Sequence, residues 1–303
     1  MGLVYHNGKF IPEQHIQKST EEARVLRLLR SFLDKNEPGL VRILLNLWQA
    51  QGKAITYKEL REAILSGDLT IDLFQDWQQD YTRFVAKNLQ PAWEKAIETA
   101  VVELERKYSG WYFNPMRDSV RSWTANHAAQ FVTNVTTTQI EGLRAVVRKA
   151  AVLDDLSVDE LARAVRPMVG LTKQQTVANL NYYENLRSNG VSEKRAQDLS
   201  LRYSGRQHRY RGYNIARTEL ATAYNTGAHE GTKQAQEAGL LGEVKKVWCT
   251  ADDERTCKNI CAPLEGTEVD MDEEFPGISR SWSTHLTAPA HPGCRCCILY
   301  VEK

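Results

Sequence analysis

Cysteine placement constrains this chain more than any other feature. All six cysteines lie between Trp248 and Lys303, and the 247 residues before that stretch contain none. Two clusters stand out. One is Asp253-Glu-Arg-Thr-Cys257-x3-Cys261, and the other is His291-Pro-Gly-Cys294-Arg-Cys296-Cys297, about thirty residues on. Two short groups of soft ligands, one at each end of a loop, are what a tetrahedral zinc site requires, because each half then supplies two of the four ligands. Disulfides are the competing reading, but they belong to exported chains. The start Met-Gly-Leu-Val-Tyr-His shows neither a basic nor an apolar export segment. Reduced thiols are the other alternative. The zinc reading is preferred, with a structural role for the ion.

The ligand set stays open between Cys257, Cys261, Cys294 and Cys296, and a set in which His291 replaces either member of the second pair. Cys249 and Cys297 have a plainer reading. They sit in Val244-Lys-Lys-Val-Trp-Cys and Cys297-Ile-Leu-Tyr-Val, which are β-branched and aromatic like strands. There they are expected as small buried hydrophobes.

The rest of the chain reads as helix. Ser19-Thr-Glu-Glu opens one that Glu37-Pro-Gly should stop, with a second beginning there. Thr56 starts a short helix ended by Ser66-Gly67. From Thr70 to about Lys107 the pattern is helical, with Phe74, Trp77, Tyr81, Phe84 and Val85, then Trp93, Ile97, Val101 and Leu104 on one face; Pro91 should break or kink it. Asp118 to Val152 is a long helix on which His127 reads as a core residue rather than a ligand. The two long patterns are expected to share one bundle core. Ser157-Val-Asp-Glu, Thr172 and Ser192 open further helices. The fold expected is mainly α, with a long-helix N-terminal region and a small C-terminal α/β zinc-binding module. Its divisions are an arm over 1–18, a helical region over 19–200 and a C-terminal domain over 201–303, with the module at about 244–303.

Charge excludes some partners. The net charge is +1, so no global field attracts nucleic acid or a membrane surface. No apolar run approaches the roughly eighteen residues of a membrane span. The stretch Tyr203 to Arg217 holds four arginines, three tyrosines and no acid, a composition suited to single-stranded nucleic acid. The preferred reading there is a loop leading into the first turns of a helix over 212–238. Acids at Glu268, Asp270, Asp272, Glu273 and Glu274 lack the order of a calcium loop and read as a solvated loop.

The ordered combination Ile215-Ala-Arg217-Thr218-Glu219, Trp248, Asp253-x-Arg255-Thr-Cys257-x3-Cys261-x-Pro-Leu-x-Gly266 and Pro289-Ala-His-Pro-Gly-Cys-Arg-Cys296 resembles the phage Mu F-like minor head proteins of tailed bacteriophages. The resemblance covers about 210–300. It implies a minor capsid or head morphogenesis protein, made in the bacterial cytoplasm and carried in the virion. Its partners would be the portal and the capsid or scaffold interior, with transient DNA contact, no membrane anchor, no catalysis, and packaging followed by ejection with the DNA. Arg217 and Glu219, two residues apart, cannot face one another on a helix and should reach separate partners. The rival classes are a metal-dependent nuclease or toxin-like hydrolase, and a zinc-dependent DNA-binding module.

Overall fold

A computed structural model describes residues 3–6, 9–12, 18–69, 71–153, 155–251, 253–277 and 285–303. It is 69% helical with a small C-terminal sheet, the mainly α class that the apolar periodicity implies. Strands β1 (Leu3–His6) and β2 (Lys9–Pro12) pair antiparallel, with Leu3 opposite Pro12, where the sequence offers no sustained period. The helices are α1 (Thr20–Ala54), α2 (Tyr57–Ser66), α3 (Ile71–Phe84), α4 (Gln90–Lys107), α5 (Asp118–Ala150), α6 (Val158–Val165), α7 (Lys173–Ser188) and α8 (Glu193–Glu237). The C-terminal part adds β3 (Val244–Cys249), the single turn α9 (Cys261–Leu264), β4 (Glu268–Asp270) and β5 (Cys297–Glu302).

Local chemistry explains most boundaries. Thr56 and Glu59 form a reciprocal capping box at the start of α2, and Gly67, left-handed at φ 73°, ends it. Thr172 and Gln175 cap α7 in the same way. At α6 the Ser157 side chain accepts from the Glu160 amide, but Glu160 does not reach back. Its carboxylate instead accepts from Tyr183, at 2.7 Å, and from Arg187, at 2.5 Å.

Two expected boundaries fail. Helix α1 runs through Pro38 without stopping. Leu40, Val41 and Leu44 beyond the proline are buried. At about 1.5–3 kcal/mol each, they outweigh the roughly 3 kcal/mol cost of a helix-interior proline. Likewise α8 is unbroken over Tyr203–Arg217, where a loop leading into the first turns of a helix at 212 was expected. The interruption at Pro91 takes the form of a π-helical turn over Val85–Leu89, directly ahead of the proline at the second residue of α4. The stretch 262–290, expected as loop, contains β4; residues 278–284 lie outside the described residues.

The chain forms two compact units, each discontinuous in sequence. The first comprises Met1–Pro38, Pro91–Trp123 and Asn214–Lys303, and the second comprises Gly39–Gln90 and Thr124–Tyr213. The shared bundle core expected for the two long apolar patterns is therefore split: Trp77 and Tyr81 lie in the second unit, Trp93 and Ile97 in the first. In the second, α2, α5 and α6 bury Leu60, Ile64, Leu143, Val146, Val147 and Leu161 together. A buried polar chain crosses the same unit. Trp48 donates to the Tyr81 hydroxyl at 2.8 Å, Tyr81 donates to Gln139, and Gln139 donates to Gln51 at 3.0 Å. Burial pushes the Tyr81 phenol up to about 12, so it stays a neutral donor. His127 is half-buried on α5.

In the first unit, α8 packs closely on α4. A Cβ at Gly227 would lie 2.5 Å from the Ile97 backbone. The sheet has strand order β4-β3-β5, all antiparallel, with Trp248 opposite Ile298 and Cys249 opposite Cys297. Cys249 and Cys297 are both buried, as their strand setting implies. Gly227→Ala should force α8 from α4 and lower stability by about 1–3 kcal/mol, read as a lower midpoint in thermal denaturation.

Candidate metal centre

Strand β3 delivers the chain to the first cysteine cluster. The Asp253 carboxylate accepts from the Arg255 amide at 3.0 Å, the Thr256 amide donates to the Asp253 carbonyl at 2.8 Å, and the Asp253 amide donates to the Thr256 hydroxyl at 3.2 Å. This tight turn leads into Cys257, whose carbonyl accepts from Cys261 at 3.1 Å as α9 begins. The second cluster is a turn as well. The Cys294 amide donates to the His291 carbonyl at 3.1 Å, with Gly293 left-handed at φ 75°. That conformation is why glycine stands between Pro292 and Cys294.

The two turns bring three buried sulfurs together. The Sγ atoms of Cys261, Cys294 and Cys296 all lie within 4.8 Å of one another. Cys261 and Cys294 are 3.6 Å apart, near the roughly 3.8 Å edge of a tetrahedron with 2.3 Å zinc–sulfur bonds. His291 Nε2 lies 3.1 Å from the Cys261 sulfur. The His291 ring is oriented through Nδ1, 3.0 Å from the Pro292 carbonyl. Cys257 is half-buried, packs beside this group and is not part of the sulfur triad.

Electrostatics among these groups fits a cation. Contact with Cys261, and then Cys296, holds the Cys294 thiol far below its ordinary range. Contact with Cys294 pushes the Cys261 thiol up, and contact with Cys261 pushes Cys296 up. The Cys261 sulfur, and then Cys294, raises His291 to about 11. One thiolate is thus held by the protons of its neighbours. A divalent ion would replace those protons and let all three sulfurs be anionic. The triad can hold a metal ion, and its donor set suits zinc.

The remaining residues singled out in the sequence sit around this centre in distinct roles. Thr218 accepts from the Gly293 amide at 2.8 Å, so α8 supports the turn that carries His291 and Cys294. Arg217 points elsewhere and makes a two-point ion pair with Glu37 at 2.8 Å and 2.8 Å, Glu37 being buried. Glu219 is buried on the same helix. Trp248 is fully buried and meets Phe275 edge to face, with ring centroids 5.0 Å apart. Asp253 takes two hydrogen bonds from Arg295, at 2.7 and 2.5 Å. Burial raises the Asp253 carboxyl, but Arg295 and the Arg255 amide outweigh it and hold the group below its usual range. The Arg255 side chain is exposed.

Asn225 stands on the same helix, two turns beyond Thr218, and two further contributors, Glu37 and Lys246, carry no local mark of their partners. Asn225 accepts from the Ile298 amide at 3.2 Å, joining α8 to β5. Glu37 lies 180 positions from Arg217, and nothing local marks it as a partner. Lys246, fully buried, donates to the carbonyls of Glu273 at 2.6 Å and Leu286 at 2.8 Å. Burial pulls its ammonium down to about 8. The one available signal was the two-residue period of the strand, which places Lys246 on the same face as Val244 and Trp248.

Fold and site together define a helical protein that carries a compact, thiol-rich α/β module. Residues 149–299 match the family described as Phage Mu protein F like protein, and through that span the chain belongs to the phage Mu F-like family. Neither curated proteins nor solved structures give a match. The family points to phage head morphogenesis and a structural role. Among the described residues, no helix is long and apolar enough to cross a membrane.

Replacing Thr218 by Val removes the acceptor of the Gly293 amide. Such support of a ligand loop is typically worth 10–100-fold in metal affinity. Competition with a chelator should show weaker zinc retention in that direction while the helical circular dichroism is unchanged.

Proposed function

We propose that this chain is a minor head protein of a tailed phage that works by binding, with a zinc ion closing its C-terminal module. The family match over the ligand-bearing turns, joined to a buried sulfur triad, carries this reading. Zinc would be held by Cys261, Cys294 and Cys296, with His291 as fourth ligand and Cys257 in reserve. Four protein ligands leave no position for water, and three thiolates make the ion a poor Lewis acid. The role is therefore structural. In the nuclease or hydrolase alternative a general base would stand beside the ion. Asp253 does not serve, since both its oxygens are engaged by Arg295. The division at residues 18 and 200 remains part of this proposal, as modules along the chain.

Purified protein should carry about one zinc per chain. Cys261→Ser should lose it and expose the module to protease, whereas Cys257→Ser should keep it. The zinc-loaded protein should cleave neither DNA nor peptide. Zinc-dependent DNA cleavage abolished by Glu254→Gln would replace this reading with a nuclease.

The partners proposed are the portal and the interior of the capsid or scaffold, with the protein inside the head or at the portal vertex and ejection with the DNA a further step. Transient DNA contact is supported by one face of α8, where Arg202, Arg206, Arg209, Tyr210 and Tyr213 are all exposed. Arginine and tyrosine are both phosphate donors. The chain co-expressed with the portal should co-purify with it. Recovery only from the outer surface of virions, or never with the portal, would rule out the assembly role.

A further inference from the structure

Helix α8 contains four glycines, at 205, 212, 227 and 231. Three have neighbours that leave no room for a side chain or hold it in close contact. A Cβ at Gly212 would lie 3.3 Å from Val41, at Gly227 2.5 Å from the Ile97 backbone, and at Gly231 2.3 Å from Val101. Gly205 has nothing within 4 Å. A glycine inside a helix costs about 1 kcal/mol relative to alanine. No packing in the second unit accounts for accepting that cost at position 205.

Gly205 opens instead onto a groove of about 440 Å³ between the last turns of α1, the turn Arg166–Met168 and α8, all within the second unit. Its walls are largely carbon: Leu45, Trp48, Pro167, Val169 and Leu201. Leu201, one helical turn before Gly205, is 55% exposed, which is costly for a leucine left uncovered. Lys53 and Arg209 line the groove, are exposed, and make no ion pair among the described residues. Arg166 adds a third cation, held by the Gly52 and Lys53 carbonyls at 2.8 and 2.7 Å and stacked over Tyr57. No Asp or Glu lines the groove.

We propose that this groove docks an acidic amphipathic segment of a partner protein. An apolar anchor of that segment would cover Leu201, its carboxylates would meet Lys53 and Arg209, and its backbone would approach α8 at Gly205. Backbone approach is the use a glycine has where a ligand must come close. Amphipathic segments read by an apolar groove follow the same logic elsewhere. Nucleic acid is the poorer match, because these carbon walls offer a phosphate backbone few donors along its length. The inference is independent of the head-assembly role, since the groove selects by chemistry and not by the partner's source.

The test uses the full zinc-loaded chain and a labelled 15-residue synthetic helix, with leucines along one face and glutamates flanking them, read by fluorescence anisotropy. A control peptide carries lysines in place of the glutamates. The acidic peptide should bind and the lysine peptide should not. Gly205→Trp, which fills the groove, and Arg209→Glu, an exposed change that leaves the fold intact, should each weaken binding at least tenfold. Gly205→Ala should melt at a higher temperature than the parent chain, because the glycine serves no packing need. Affinity unaffected by both Gly205→Trp and Arg209→Glu would overturn the proposal. So would a single-stranded oligonucleotide that binds with the same dependence on both positions while the acidic peptide does not. A dimer in sedimentation that Gly205→Trp abolishes would likewise assign the groove to a second copy of the chain.

Discussion

Two hydrogen bonds accepted along one face of α8 hold the cysteine-bearing segment in place, and the sulfur triad depends on them. Thr218 receives the Gly293 amide, and Asn225, seven residues on, receives the Ile298 amide. Seven residues are two helical turns, so both side chains fall on the same side of the helix. One fixes the turn that carries His291 and Cys294. The other fixes the strand that follows Cys296. Without this external frame, three sulfurs on short turns would have to be gathered by the ion alone, with the entropy of both turns opposing it.

Charge pairing completes the frame from the other side. The Asp253–Arg295 fork links the first cysteine turn to the second, residue 295 standing between two of the triad's cysteines. Arg217 anchors the same helix to Glu37, and a buried carboxylate with one cation partner is the kind of contact whose loss is expensive. Arg217 and Thr218 therefore work as a junction, reaching different elements because adjacent positions on a helix point in different directions.

Much of this was legible in the sequence where the determining chemistry is local. The caps at Thr56 and Thr172, the stop at Gly67, the stripes through Trp77 and Trp93, and the strands holding Cys249 and Cys297 all follow from neighbours within a few residues. The clustering of soft ligands likewise pointed to the region where the sulfur triad lies. Illegible were the outcomes set by distant partners. Pro38 breaks a helix by local rules, yet α1 continues because residues beyond it are buried. Tyr203–Arg217 is polar enough for a loop, yet it is helix throughout. Glu37 carries no mark of its pairing, and a glycine such as Gly205 looks no different in sequence from Gly227, although one faces open space and the other a neighbouring backbone.

The interleaving of the two units bears on how the molecule is made. Every segment of the second unit has been synthesised once Tyr213 is added, so that unit can close while translation continues. The first unit needs residues near both extremes of the chain and must wait for β5. Its early segments are therefore synthesised well before the partners that complete their unit. The thiols are added after α8, whose Thr218 and Asn225 can then receive the segment that carries them. An ion held by the sulfur triad would be captured only after α1 to α8 have been synthesised.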